Sequence, residues 1–331
     1  MKFSLIICTY KRPQALLTLL QSVKQQTLYP HEILIVDGSP DDFTKEMLSQ
    51  HSFPNLKYFK VEDKDRGLTK QRNYGISRVS EASEVVCFLD DDTVLDSQYF
   101  YEVIHLFEKN PEIIGVGGVA INENKWFQKE ENTRYSKNKY YQLNDFVVKE
   151  ASRNKIRNYF GLQSDKNPGI MPEFSHGRTC GYPLDGNNYE VDLLIGMSMS
   201  FRKGVTENIS FSTYFEGYGL YEDADFSIRA LQFGKNVICT KAQLEHHHDA
   251  SGRPNQYAYG KMVVRNGWYV WRVKNPNPSL SARFKWHAIT LLLTAIRATN
   301  VITTSKRKEA FTETMGRVVG WVSLFWKAPR V

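Results

Sequence analysis

The sequence predicts an α/β fold with a mainly parallel central sheet, followed by a C-terminal helical appendage. Three observations carry that expectation. Short apolar runs alternate with helical patterns through the first 120 residues, at the spacing of βαβ units. Residues 251–331 are instead helical in pattern, basic and rich in Trp. The length of 331 residues is about twice a typical ~150-residue domain, enough for one large α/β domain plus an appendage.

The elements follow in order. Residues 3–8 form an apolar run suited to a strand buried on both faces. Lys11-Arg12-Pro13 opens a helix with Pro near its first turn, and Leu16, Leu17, Leu19, Leu20 and Val23 give it an apolar face. Residues 32–37 read as a second strand, closed by the turn Gly38-Ser39-Pro40. A helix through Met47 and Leu48, a strand at 56–61 and a helix at 69–79 come next. Residues 84–89 form a strand that runs into Asp90-Asp91-Asp92, and a helix at 97–109 precedes a strand at 113–119. Residues 122–190 break the pattern. They are polar, rich in Asn, Lys and Tyr, and carry turn signals, so they read as an insertion of mobile loops within a domain spanning 1–250. Patterning returns at 191–202, then a helix at 222–233 and a strand at 236–240.

Composition narrows the class. With 41% hydrophobic and 24% charged residues the chain is globular, which excludes disorder and collagen-like repeats. The net charge of +7 is uneven. Residues 251–331 hold 14 Lys and Arg against Glu309 and Glu313, a net of +12, and leave the first 250 residues at −5. Five of the six Trp also lie in that tail. Its longest apolar stretch, around residues 288–296, falls far short of the ~20 residues that span a bilayer. Trp, Leu and basic residues at helical spacing suit an interfacial helix, so an anionic membrane surface is the expected partner of the tail. Nothing resembles a nucleic-acid module, and no nucleic-acid partner is expected. Cys8, Cys87, Cys180 and Cys239 are widely spaced with no paired motif, as expected of free thiols in a reducing compartment. The first ten residues show no cleavage signal. A cytoplasmic protein, peripheral at the inner face of the cell membrane, is therefore expected.

Three constellations carry chemistry. Asp90-Asp91-Asp92 follows an apolar strand, where carboxylates either cap a turn or hold a divalent cation such as Mg²⁺ or Mn²⁺. Gly217-Tyr218-Gly219-Leu220-Tyr221 leads into the acid-rich helix start Glu222-Asp223-Ala224-Asp225. Such acids complement the helix dipole, or one of them takes a proton from an acceptor hydroxyl. Glu245-His246-His247-His248-Asp249 lies at a strand end, where one imidazole could complete a metal shell.

In this order, these residues resemble a family 2 glycosyltransferase of the GT-A fold. The resemblance runs through residues 4–12, Ile35-Val36-Asp37-Gly38-Ser39, residues 67–76 and Phe88-Leu89-Asp90-Asp91-Asp92. It continues in Val191-Asp192, Gly196-Met197-Ser198-Met199-Ser200-Phe201-Arg202 and Glu222-Asp223-Ala224-Asp225-Phe226. It covers roughly residues 1–249 and implies inverting sugar transfer from a nucleotide-sugar donor to a glycan or lipid-linked acceptor. The implied donor is a UDP- or dTDP-sugar rather than a GDP-sugar, with Mn²⁺ or Mg²⁺ as cofactor. Thr9, Tyr10, Arg12, Asp37, Arg72, Asn73, Asp90 and Asp91 would then lie on the nucleotide side. Asp92 of the DxD motif and His247 would meet the metal, with His246 and His248 as alternatives. Asp223 would be the catalytic base, with Glu222 second. A sugar nucleotidyltransferase is the competing enzyme class, but it would place a Gly-rich loop after the first strand, where Thr9-Tyr10-Lys11-Arg12-Pro13 stands. A non-catalytic carbohydrate- or membrane-binding protein on the same scaffold is the other alternative.

Overall fold

Strand and helix alternate as expected in a computed structural model that describes residues 1–178, 181–248 and 254–331. Cys180 and Asp249 lie outside the described residues. In chain order come β1 (Phe3–Thr9), α1 (Pro13–Lys24), β2 (Glu32–Asp37), α2 (Phe43–Ser49), β3 (Leu56–Lys60) and α3 (Leu68–Ile76). β4 (Val85–Asp90), β5 (Thr93–Leu95), α4 (Tyr99–Lys109) and β6 (Ile113–Ala120) follow. Next are β7 (Trp126–Gln128), β8 (Tyr140–Leu143), β9 (Phe146–Lys149) and α5 (Ser152–Tyr159). Then come β10 (Asn188–Val191), β11 (Ser198–Arg202), α6 (Lys203–Asn208), α7 (Glu222–Ala230) and β12 (Lys235–His246). α8 (Gln256–Lys274), α9 (Leu280–Thr303) and α10 (Arg307–Lys327) end the chain.

Two compact units are present. The first comprises Met1–Asn124 and Leu184–Arg253, the second Lys125–Pro183 and Pro254–Val331. Residues 125–183, within the stretch 122–190 expected as mobile loops, contain strands and a helix and group with the C-terminal helices.

The first unit is built on a nine-stranded sheet of order β10-β12-β6-β11-β4-β1-β2-β3, with β5 paired to β12. β4, β1, β2 and β3 run parallel, as do β6 and β12. β11 enters antiparallel between β4 and β6. The apolar runs are buried because helices cover the sheet; Leu5, Ile7, Ile33, Ile35 and Cys87 join α1 residues Leu16, Leu19, Leu20 and Val23 in one core. α3 approaches β1 closely through Gly75, where an added Cβ would stand 2.7 Å from Ile6.

The second unit holds a three-stranded antiparallel sheet of order β7-β9-β8 and the helices α5, α8, α9 and α10. Trp271 and Trp286 are buried with Val264 and Leu324, and Trp268 and Trp321 pack against them. Trp271 Nε1 donates to the carbonyl of Glu173 at 2.7 Å. Four of the five tail Trp therefore build this unit's own core, and only Trp326 is exposed. α8 and α10 cross at backbone contact: a Cβ at Gly260 would stand 2.2 Å from the Glu313 carbonyl. No described helix is long and apolar enough to cross a membrane.

Candidate functional site

The site residues lie at the carboxyl ends of the parallel strands, where α/β sheets leave a crevice. Register brings these ends level: Thr9 pairs with Asp37, and Cys8 pairs with Asp90. Gln71 of α3 stitches two of them together, its Nε2 donating to the carbonyls of Thr9 at 3.1 Å and Val36 at 2.8 Å. Asp37 is fully buried. It accepts from the Ser39 N–H at 2.7 Å and from the Tyr58 hydroxyl at 2.9 Å. Tyr10 stands at the surface beside them.

The aspartate triplet divides by environment. Asp91 is buried and accepts from Thr9 Oγ1 at 2.7 Å and Arg12 Nη1 at 3.1 Å. Burial pushes its carboxyl up to about 7, against the opposing pull of Arg12. Arg12 also reaches Asp92 Oδ2 at 3.4 Å. Asp90 keeps about a third of its side chain exposed, with Oδ1 3.2 Å from Arg72 Nη2.

Arg72 is the buried cation of the site. Its side chain is 2% exposed, pairs with Glu222 as well as Asp90, and donates to the Gly196 carbonyl at 3.2 Å. Asn73 instead clasps backbone, exchanging two 2.8 Å hydrogen bonds with Phe211. Glu222 and Asp223 are neighbours with different settings. Glu222 is 3% exposed against Arg72, and burial raises its carboxyl to about 8 while Arg72 opposes the rise. Asp223 is half-buried, and both its oxygens are oriented by backbone N–H donors: Gly196 at 2.8 Å and Ala224 at 2.8 Å. Gly196 sits tightly, since a Cβ there would stand 3.3 Å from both Arg72 Nη2 and Glu222 Oε1.

β5 joins the aspartates to the histidines. Its Thr93 pairs with His246 and its Val94 with Glu245, and the His247 N–H donates to the Asp92 carbonyl at 3.0 Å. Successive side chains on a strand point oppositely. His246 Nε2 therefore comes within 3.4 Å of Asp92 Oδ1, whereas His247 Nε2 lies 3.2 Å from Glu245 Oε2 among exposed groups. The ligand atoms of Asp90, Asp92 and His246 all lie within 4.8 Å of one another. Two carboxylates and an imidazole so gathered form a donor set that could hold a divalent cation. The geometry thus gathers His246, and not the expected His247, with the aspartates. Gln71, Tyr58 and Glu123 were not anticipated as site groups. Gln71 stands inside a motif of the resemblance, while Tyr58 and Glu123 carry no sequence signal of their own.

Comparison with known proteins supplies the family. Residues 4–168 match the model of glycosyl transferase family 2. The O-antigen chain rhamnosyltransferase RfbN of Salmonella typhimurium is 25% identical over 275 residues, covering 82% of this chain and 74% of that protein. The glucosyl-dolichyl phosphate glucuronosyltransferase of Haloferax volcanii is 28% identical over 126 residues. That match covers 37% of this chain and only 39% of that protein's length. Among solved structures, the mannosyltransferase PcManGT from Pyrobaculum calidifontis, in complex with GDP-Man and Mn²⁺, superposes with a TM-score of 0.56 at 12% identity. It covers 99% of this chain and 88% of that one, which shows the GT-A fold. With that fold and the family match over residues 4–168, the chain belongs to glycosyltransferase family 2.

Proposed function

We propose that this glycosyltransferase moves a sugar from a UDP- or dTDP-sugar to a hydroxyl of a glycan or lipid-linked acceptor, inverting the anomeric centre. The observation that carries this reading is the gathering of Asp90, Asp92 and His246 within 4.8 Å, on the same strand-end crevice as Asp223. That donor set fits Mn²⁺ or Mg²⁺. When bound there, the ion neutralises the charge that grows on the departing diphosphate.

The chain's own groups supply the rest. Asp92 and His246 hold the cation, and Asp90 lies beside them on the donor side. Asp37, expected to meet the base, has no exposed surface and both oxygens engaged by Ser39 and Tyr58, so it acts through the strand-end turn it holds. Thr9, Tyr10 and Arg12 line the same strand ends. Asp223 takes the proton of the attacking hydroxyl, since two backbone N–H groups aim its carboxylate. Glu222 is a weaker candidate because it is sealed against Arg72. A single displacement with a base opposite the leaving group inverts the sugar carbon.

The second unit suggests how the chain meets a surface. Leu280, Phe284, Leu291 and Ile302 are exposed at spacings that put them on one face of α9. Phe311, Met315, Val318 and Phe325 do the same on α10. Lys306, Arg307 and Lys308 lie exposed at the start of α10. Apolar stripes beside exposed cations suit an anionic lipid surface. The rhamnosyltransferase and dolichyl-phosphate relatives also point towards surface polysaccharide or lipid-linked glycan.

Thermal unfolding of the purified chain with Mn²⁺ and a panel of nucleoside diphosphates tests the donor side. Stabilisation by UDP or dTDP only when Mn²⁺ is present is expected. Equal stabilisation by all of them without metal, or by none, contradicts the proposal.

A further inference from the structure

We propose that Glu123, supported by Asn122, is a positioning residue that fixes the ring and tautomer of His246. This inference rests on the proposed metal role of His246 and extends it to residues outside every motif of the sequence. The segment after β6 stays beside β12, with Ala120 paired to Leu244 and the Ile121 N–H donating to the Leu244 carbonyl at 2.8 Å. Asn122 then clasps the backbone of His246 reciprocally. Its Nδ2 donates to the His246 carbonyl at 2.9 Å, and its Oδ1 accepts from the His246 N–H at 3.0 Å.

Glu123 works on the ring. Its Oε1 lies 3.0 Å from His246 Nδ1, while Nε2 of the same imidazole faces Asp92 Oδ1 at 3.4 Å. A neutral imidazole carries one proton, and a carboxylate can only accept. Asp92 also only accepts, so both ring nitrogens of His246 face carboxylates; once a cation takes Nε2, the one remaining ring proton must sit on Nδ1, pointing at Glu123. A carboxylate behind a ligating histidine acts this way in metal sites generally, orienting the ring and raising its basicity. His248 completes the support, with Nε2 2.7 Å from Glu123 Oε1 and its ring centroid 4.0 Å from that of His246. Glu123, His246 and His248 also form a three-ligand group by distance. A metal there would make Glu123 a ligand rather than a positioning residue, and the experiment separates the two.

Mn²⁺ alone is titrated into the full chain and the free ion is read by electron paramagnetic resonance. Glu123→Ala should weaken binding by ~10-fold or more, the usual cost of losing such a carboxylate. Glu123→Gln keeps an oxygen that accepts from Nδ1–H and should lose less than Glu123→Ala, a rescue that a merely structural role would not produce. His248→Ala should stay well above Asp92→Ala, which removes a proposed ligand. Nitrogen NMR of His246 with diamagnetic Mg²⁺ bound should show the Nδ1–H tautomer, with a weaker, shifted Nδ1–H signal in Glu123→Ala. Unchanged binding and an unchanged Nδ1–H signal in Glu123→Ala would overturn the inference. So would losses in Glu123→Gln and His248→Ala as large as in Asp92→Ala, since that places the ion on Glu123 itself. If the wild-type chain binds no Mn²⁺, the metal reading fails and this inference falls with it, whereas Mn²⁺ binding that is unchanged in Glu123→Ala overturns this inference alone.

Discussion

Adjacent carboxylates in this chain have different settings because their surroundings differ, and this decides what each can do. Glu222 and Asp223 are consecutive, yet one is sealed against Arg72 and the other is half-buried and held by Gly196 and Ala224 N–H groups. Asp223→Asn should cut sugar transfer by at least ~10², the low end for a general base, with thermal stability little changed. Steady-state turnover of the folded variant checks this. Arg72 has the opposite profile. Its removal leaves Glu222 buried without its cation, so Arg72→Met should cost about 3–5 kcal/mol of stability, read by denaturant unfolding. Glu32 offers a pH test. Burial alone would raise its carboxyl, but Lys57, the Ser80 N–H and the Ser4 hydroxyl outweigh it and hold the group below its usual range. A lowered native value gives stability above the ordinary carboxylate range that is lost as pH falls through the native value. Glu32→Gln should therefore cost most at neutral pH and progressively less in acid, measured by unfolding at both.

Elements show what was legible in the sequence and what was not. β1, β2 and β4 were readable because each is an apolar run, a pattern that a strand buried on both faces imposes. The three-residue β5 was not, since a run that short has no period to read. Yet β5 aligns the aspartates with β12, and its register puts His246 rather than His247 beside Asp92. The triple histidine was visible as a candidate, but the choice within it depends on a pairing that joins residues about 150 positions apart. The strands β7, β8 and β9 escaped because the segment is polar and held partly by aromatic edges such as Tyr135 on Tyr140. Helix packing makes its own prediction. Gly260→Leu would drive a side chain into the α10 backbone, and about 1–3 kcal/mol of stability should be lost. A loss within error in denaturant unfolding would contradict the close crossing.

For the whole molecule, the charge of +7 separates into parts with different roles. The −5 of the first 250 residues includes the carboxylates gathered at the strand ends, and the +12 belongs to residues 251–331. The tail Trp, read from sequence as interfacial, are mostly core, and the exposed stripes of α9 and α10 carry the membrane proposal instead. The double variant Phe284→Glu with Phe325→Glu should lose co-sedimentation with anionic vesicles, and added salt should weaken the wild type. Vesicle binding unchanged in that variant would remove the proposal. The central claim is that Asp92, His246 and Asp223 form one metal-assisted transfer site. It is tested most directly by nucleoside diphosphate release from UDP- and dTDP-sugars in Mn²⁺, compared across Asp92→Ala, His246→Ala, His247→Ala and Asp223→Asn. Strong loss in all but His247→Ala is predicted, and near wild-type release from Asp92→Ala and Asp223→Asn would contradict it.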